Sequence, residues 1–558
     1  MNSKVNSLII YFLILLPFSA VSQKHNIQEI DSIFASWNSP NHPGGSVLIT
    51  QNGNTLFSKA YGLASIEYNV SNFTNTHFNI GSISKQFTAL GIVLLEQRHM
   101  LLLDEDVVKY LPELPDFGHK ITIRHLLHHT SGLRDIHGLL ALAGWRRNDL
   151  ETNEDLYRII KNQKELNFKP GDEFLYSNTG YILLAKIIEN VTSMSFDRWM
   201  QQNIFEPLEM SNTYVETQYN RVAKNNATSY YSGNEFSRAL PYWGYFGAGN
   251  IHSTTEDVGI WLQNFTNPKE EWRKPFNRLL STTPLNNGFN NLYAFGVRVE
   301  NYLGKKIIQH GGAVGGFRSI VRTFPNEKLN IVILSNFSDS NIYSKVNKIS
   351  ELILGKNKEE VAAPPIEPKS TNGKIIALPI DKLKEFEGVY WSDTEKIGRE
   401  VYVKNDTLRY SNSANSEWAL IPIGNRSFKM VHPYPNFSPM VDFNNNGQMM
   451  IKSENSLPGL FTFLQPIQET NTNDLNRFEG LYYSTELKST YSIVAENNKI
   501  SIKHARHGDI KMKRLYNNIF SGEWPLGIVE LSENKAGNIE GLRISNGRTR
   551  NVWFKKIK

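Results

Sequence analysis

Apolar positions along the chain fall into blocks of different period. Near the N-terminus an uninterrupted apolar run, Leu8 to Leu16, follows Lys4 and precedes the small residues Ala20-Val21-Ser22. A positive start, a short apolar core and small residues at a cleavage site predict a signal peptide over residues 1–22, removed before Gln23. The run is short for a bilayer span. From Ile27 to Trp37 the spacing turns helical. Two strand-like stretches, residues 45–50 and 55–60, then flank Gln51-Asn52-Gly53-Asn54, and the Asn-Gly pair predicts a hairpin. The next apolar run, Ala89 to Leu95, predicts a buried helix that starts at about Ser82.

Between about residues 100 and 240 the pattern is mostly helical. Asp104-Glu105-Asp106 looks like a capped start, residues 123–127 form a short apolar turn ended by Thr130-Ser131-Gly132, and helices are expected over 156–163 and 181–191. Gly247 to Asp257 reads as a glycine turn followed by a helix cap, with the helix running to about Phe265. Strands return over residues 293–299, 306–309, 319–324 and 330–336, and a last helix covers 342–354. Strands and helices on either side of a helical insert predict an α/β sandwich, an antiparallel sheet flanked by helices, with an all-α subdomain.

The prolines Pro364, Pro365 and Pro368 mark a linker over residues 357–375. Beyond it the chain repeats itself. Leu383-Lys384-Glu385-Phe386-Glu387-Gly388-Val389-Tyr390 is matched by Leu475-Asn476-Arg477-Phe478-Glu479-Gly480-Leu481-Tyr482. Each copy continues in short alternating segments, a late glycine turn and an aromatic strand. Two small antiparallel β-barrels are expected, over 376–466 and 467–558, after a first domain over 23–356. Their bland role is structural; their sharper one is to cover or narrow the mouth of a site.

Composition narrows the options. With 40% hydrophobic and 20% charged residues the chain is globular, and it contains no cysteine. Thiol catalysis, disulfides, an N-terminal lipidated cysteine and cysteine-metal sites are thereby excluded. The net charge of +6 is spread over 558 residues without a dense basic block, so no nucleic-acid partner is expected. A mean hydropathy of -0.39 leaves no room for several membrane spans. His125, His128 and His129, with Asp135, lack the His-Glu-x-x-His spacing, so no metal is expected there.

Three short motifs carry candidate chemistry. In Ser82-Ile83-Ser84-Lys85 the serine and lysine are three apart, which on a helix holds the ammonium beside the hydroxyl. A lysine buried there would lose part of its preference for the charged form and take the serine's proton. Alone, the tetrad reads first as a helix cap with a solvated lysine. Tyr176-Ser177-Asn178 would point a phenol and an amide to one side of an extended loop. His310-Gly311-Gly312 follows a strand, where glycines let backbone N–H groups approach an oxyanion; the plainer reading is a glycine turn with a packed histidine. Neither a Gly-x-Ser-x-Gly elbow nor a phosphate loop is present.

In this order the three motifs resemble the penicillin-recognising serine hydrolases, above all the class C β-lactamase group with its D-aminopeptidase, DD-peptidase and esterase relatives. Ile123 to Leu133, Gly249 to Thr254 and Leu334-Ser335-Asn336 also look like family landmarks, and the resemblance covers about residues 27–355. The two barrels resemble, more loosely, those appended to D-aminopeptidases. The resemblance implies an acyl-enzyme on Ser82, proton transfer by Lys85 and Tyr176, and an oxyanion hole from the backbone N–H groups of Ser82 and Ala313. It also implies substrate contacts from Asn178, His310, Gly311 and Gly312, without metal or cofactor. Penicillin-hydrolysing relatives usually carry Lys-Thr/Ser-Gly where this chain has His310-Gly311-Gly312. The cation meeting a β-lactam carboxylate would then be a histidine, charged only part of the time near neutral pH.

The expected protein is an exported, periplasmic or secreted serine hydrolase that cleaves amide or peptide bonds of small peptides containing D-residues. A carboxylesterase or weak β-lactamase, and a non-enzymatic cell-wall peptide binder, remain as alternatives. The expected partner is a small peptide or ester substrate, with no nucleic acid and no membrane span after signal cleavage. The sequence leaves a homo-oligomer open.

Overall fold

The computed structural model describes residues 27–240, 242–355, 375–393, 397–413, 416–431, 439–452, 458–465 and 472–558. The expected signal peptide, and all of the expected linker except Ile375, lie outside the described residues. These residues fall into two compact units. One comprises 27–100, 188–281 and 293–355; the other comprises 101–187, 282–292 and 375–558.

The first unit is built on a sheet. Asn52 and Gly53 take φ of 52° and 81°, the left-handed pair that closes a two-residue hairpin, and so join β1 (Gly45–Gln51) to β2 (Asn54–Tyr61). Four further strands, β3 (Arg298–Tyr302), β4 (Lys305–Val314), β5 (Phe317–Phe324) and β6 (Leu329–Ser335), complete the sheet. Its order is β3-β4-β5-β6-β1-β2 and every pairing is antiparallel. Residues 293–297, expected as strand, bend instead, because Phe295 N–H bonds the Leu279 carbonyl (3.0 Å) rather than a strand neighbour.

Seven helices matter for the site: α1 (Ser84–Gln97), α2 (Ile123–Leu127), α3 (Ile136–Leu142), α4 (Asn153–Ile160), α5 (Asn178–Thr192), α6 (Thr255–Thr266) and α7 (Ile342–Leu354). Strand alternation sorts the sheet's two faces. Val47 and Ile49 join one cluster with Ile30, Phe34 and Trp37 and with Ile342, Val346 and Ile349 of α7. Leu48, between them, points to the other face, where it packs on Gly259 of α6. The sheet is thus covered on both sides, as the α/β sandwich expectation requires. The helical insert is shorter than expected: helical structure continues past α5 to Phe205, and the chain then forms two-residue strands such as Tyr214–Val215 and Tyr230–Tyr231.

In the second unit, α2 starts with a reciprocal cap. Thr122 Oγ1 accepts from His125 N–H (3.1 Å) and His125 Nδ1 accepts from Thr122 N–H (3.2 Å). Asp135 caps α3, its carboxylate accepting from His137 N–H at 3.2 Å. Two closed, eight-stranded antiparallel barrels follow, from Gly388–Ser392 to Gly459–Leu464 and from Gly480–Ser484 to Thr549–Lys556. The repeated motif has a repeated job. Tyr390 and Tyr482 hydroxyls donate to the carbonyls of Phe386 (3.0 Å) and Phe478 (2.5 Å), and both phenylalanines are buried. Glu387 and Glu479 accept from the N–H groups of Val403 (2.6 Å) and Ala495 (2.9 Å).

The second barrel is docked on the helical segment by buried charge. Arg134, with no exposed side chain, donates to Glu486 (2.7 Å) and to the carbonyls of Arg550 (2.8 Å) and Asn551 (3.0 Å). Arg543 pairs with Glu165 (2.8 Å), and Arg550 with Glu173 (3.0 Å). The Arg134–Glu486 pair is buried on both sides: it adds little net stability over an apolar contact, but breaking it leaves a costly lone charge, so it specifies this docking; the Arg543–Glu165 pair is partly exposed. Among the described residues no helix is long and apolar enough to cross a membrane.

Candidate active site

Ser82 lies in a single 3₁₀ turn, Gly81–Ile83, and α1 begins two residues later than expected, at Ser84. The turn is tethered on several sides. Ile80 N–H donates to Ile251 O (2.9 Å), Ser84 Oγ accepts from Ile251 N–H (3.1 Å), and Ser319 Oγ donates to Ile80 O (2.7 Å). Asn79 Oδ1 accepts from Gly81 N–H (2.9 Å), while Asn79 Nδ2 donates to Asn250 Oδ1 (2.8 Å). Asn250 in turn donates to the carbonyls of Glu216 (2.6 Å) and Trp243 (3.2 Å). Gly81 has φ of 54°, and a Cβ there would lie 2.7 Å from Ala313 N. Only glycine suits both the left-handed backbone and that approach.

Lys85 is fully buried. Its Nζ lies 3.1 Å from Ser82 Oγ and 2.6 Å from the Ala248 carbonyl. One turn on, Thr88 Oγ1 donates to Gly247 O (2.7 Å). One face of α1 therefore holds the 247–251 segment, and Lys85 is both the neighbour of Ser82 and part of that brace. The solvated-lysine reading is set aside by this burial.

His310, Gly311 and Gly312 lie within β4, not in a turn after it. A Cβ on Gly311 would meet the Tyr343 hydroxyl at 2.0 Å, and one on Gly312 would meet Ile80 O at 2.1 Å. Gly312 thus lets the strand lie directly against the Ser82 turn, while Gly311 makes room for Tyr343 of α7. His310 is buried; its Nδ1 is 2.7 Å from Gly311 O and its Nε2 is 2.9 Å from the Tyr293 hydroxyl. A carbonyl only accepts, so Nδ1 carries the proton and Nε2 accepts from the tyrosine. Burial, then the charge of Lys85, push the imidazole down to about 3. This corrects the expectation of a partly charged histidine: at neutral pH His310 is neutral and offers a substrate carboxylate no cation.

Ser82 opens on a small pocket lined also by Trp243, Tyr245, Gly249, Asn250, Ala313 and Val314. Ser82 and Ala313, the two residues expected to form the oxyanion hole, thus line one pocket. Trp243 and Tyr245 were not singled out in the sequence. Their signal is the alternation of aromatics and glycines over Trp243-Gly244-Tyr245-Phe246-Gly247, just before the segment that was.

Tyr176 and Asn178 belong to the second unit. Asn178 is the first residue of α5, not part of an extended loop. Its backbone N–H and its Nδ2 both donate to Asp135 Oδ2, at 2.8 and 3.1 Å. The Tyr176 ring packs on His129 (centroids 4.2 Å apart), whose Nδ1 accepts from Ser177 N–H (3.1 Å). The ring also meets the Arg548 guanidinium, 5.3 Å from its centroid. His128 Nε2 is 3.1 Å from Thr283 Oγ1. The histidines at the end of α2 thus brace loops. Among the described residues no group of three or more His, Asp or Glu side chains is arranged to hold a metal ion.

Comparison with known proteins fits this geometry. The family profile described as Beta-lactamase matches residues 30–354. Penicillin-binding protein 4* of Bacillus subtilis (strain 168) is 29% identical over 362 residues, which are 61% of this chain and 79% of that protein. Protein flp of Staphylococcus aureus (strain N315) is 30% identical over 348 residues, 60% of this chain and 68% of its own. Among solved structures, the octameric penicillin-binding protein homologue from Pyrococcus abyssi covers 78% of this chain and 100% of its own, with a TM-score of 0.54 and 23% identity. That likeness is one of fold.

Proposed function

Since the chain belongs to the Beta-lactamase family of serine hydrolases, we propose that it cleaves amide or peptide bonds of small peptides containing D-residues through an acyl-enzyme on Ser82. The observation that carries this reading is the buried Lys85 Nζ 3.1 Å from Ser82 Oγ. In the proposed reaction Ser82 Oγ attacks the substrate carbonyl. Its proton passes to Lys85 and Tyr176, which act as a coupled pair, and then to the leaving amine. The backbone N–H groups of Ser82 and Ala313 receive the oxyanion, each worth roughly 3–4 kcal/mol in the transition state. Water then releases the acyl group. Asn178 orients the substrate amide or Lys85, and His310, Gly311 and Gly312 form the strand along which the substrate lies.

One feature supports the choice of substrate class. His310 is neutral, so the site lacks at that position the charge that would hold a β-lactam carboxylate. Efficient penicillin hydrolysis is therefore not proposed, although Penicillin-binding protein 4* by its name binds penicillin. The N-terminal pattern supports export to the periplasm or medium, with cleavage before Gln23. A panel of D- and L-peptides, short acyl esters and β-lactams, run against wild type and Ser82→Ala, tests the reading. Release from D-residue peptides by wild type alone supports it. Ester or β-lactam turnover without peptide cleavage refutes the peptidase reading, and equal activity of the two proteins refutes the role of Ser82.

A further inference from the structure

The strands Ile539–Asn546 and Thr549–Lys556 of the second barrel are joined by the tip Gly547-Arg548. This tip is bound to the segment that carries Tyr176 and Asn178. Arg548 O accepts from Asp135 N–H (3.2 Å) and from Asn167 Nδ2 (2.8 Å), and Thr549 Oγ1 donates to Asp135 O (2.7 Å). The fit is close: a Cβ on Gly138 would meet Thr549 Oγ1 at 2.3 Å. So placed, the Arg548 guanidinium makes two contacts at once. It lies over the Tyr176 ring at 5.3 Å, and its Nη2 donates to Asp135 Oδ1 at 3.2 Å. The other oxygen of that carboxylate takes both N–H groups of Asn178.

This bridge is not needed simply to hold the barrel on. Arg134 with Glu486, Arg543 with Glu165, and Arg550 with Glu173 already fasten it, and none of these pairs includes Tyr176, Asn178 or Asp135. Arg548 instead places its charge against a ring face, which attracts cations, and against the carboxylate that fixes Asn178. A planar guanidinium can stack and donate together; an ammonium cannot reproduce both contacts. We propose that Arg548 is a positioning residue for the reaction on Ser82: with Asp135 it fixes the orientation of Tyr176 and Asn178, and the second barrel is thereby a working part of the enzyme. This rests on the roles proposed above for Tyr176 and Asn178.

The test uses full-length protein carrying Arg548→Ala or Arg548→Lys, with Arg543→Ala as a docking control and Ser82→Ala and Tyr176→Phe as references. Steady-state kinetics on the best substrate of the panel are read beside thermal melting. The expected result is a fall in kcat of at least tenfold for Arg548→Ala, with KM changed less than threefold. Arg548→Lys should not restore it, added guanidinium should recover part of it, and Arg543→Ala should keep wild-type kcat. If Arg548→Ala keeps kcat within twofold while Tyr176→Phe is impaired, the positioning role is overturned and the reading of the site stands. A rise in KM alone would make Arg548 a substrate-binding group and also overturn it. If Arg548→Ala does not fold, Arg548→Lys decides: wild-type kcat in that variant overturns the proposal, and a tenfold loss in a protein that melts normally supports it. Wild-type turnover by Ser82→Ala would instead bring down the underlying reading.

Discussion

Lys85 meets two demands: it stands beside Ser82 and it ties down the Ala248 carbonyl. Replacing it with methionine keeps the volume and removes both contacts. Turnover should fall by roughly 10²–10⁴, the usual worth of a positioned acid-base group, as measured by kcat on the best substrate. His310 and His252 make a second residue-scale prediction. Both are buried, and burial first, with neighbouring positive charge, holds each imidazole down to about 3. In the unfolded chain histidine titrates near 6.5, so between those values the unfolded state binds more protons. Stability should be level above about pH 6.5 and fall with acid, by about 1.4 kcal/mol per pH unit for each such histidine. Denaturant midpoints at pH 7.5 and 5.0 check this, and His310→Gln should lose less on acidification than wild type. The residues of the motifs were legible because the chemistry needs those side chains at those spacings. The charge state of His310 was not, since it depends on burial and on the charge of Lys85, neither of which local spacing encodes.

At the scale of elements, the hairpin β1–β2, the strands β5 and β6 and helix α7 were legible because turn chemistry and apolar period are local signals. The start of α1 was not: the 3₁₀ turn at Gly81–Ile83 is set by tethers to Ile251 and Ser319, distant in sequence. For the same reason β4 runs through its glycines, whose fit is visible only once Ile80 and Tyr343 are in place. Gly312→Ala should therefore disturb the approach of β4 to the Ser82 turn. Overpacking of this kind costs about 1–3 kcal/mol, and kcat should fall further than a melting shift of that size explains. Thermal melting and kinetics on the same preparation test it. In the second unit, Arg134→Met leaves Glu486 buried without its partner, for an expected loss of about 3–5 kcal/mol, read from the unfolding transition.

For the whole molecule, the repeat announced two barrels, and their internal tyrosine and glutamate contacts explain why those residues recur. That the second barrel is joined to the helical segment could not be read, because Arg134, Glu165, Glu486 and Arg548 are scattered through the chain and carry no period. The export reading predicts that mature protein from the native host begins at Gln23, which N-terminal sequencing checks. The central claim, a nucleophilic Ser82 with Lys85 beside it, is tested most directly by intact-mass spectrometry of full-length protein treated with a fluorophosphonate. One covalent adduct is expected, mapping to Ser82 and lost in both Ser82→Ala and Lys85→Met. An unlabelled wild type, or an adduct that persists in Ser82→Ala, would contradict it.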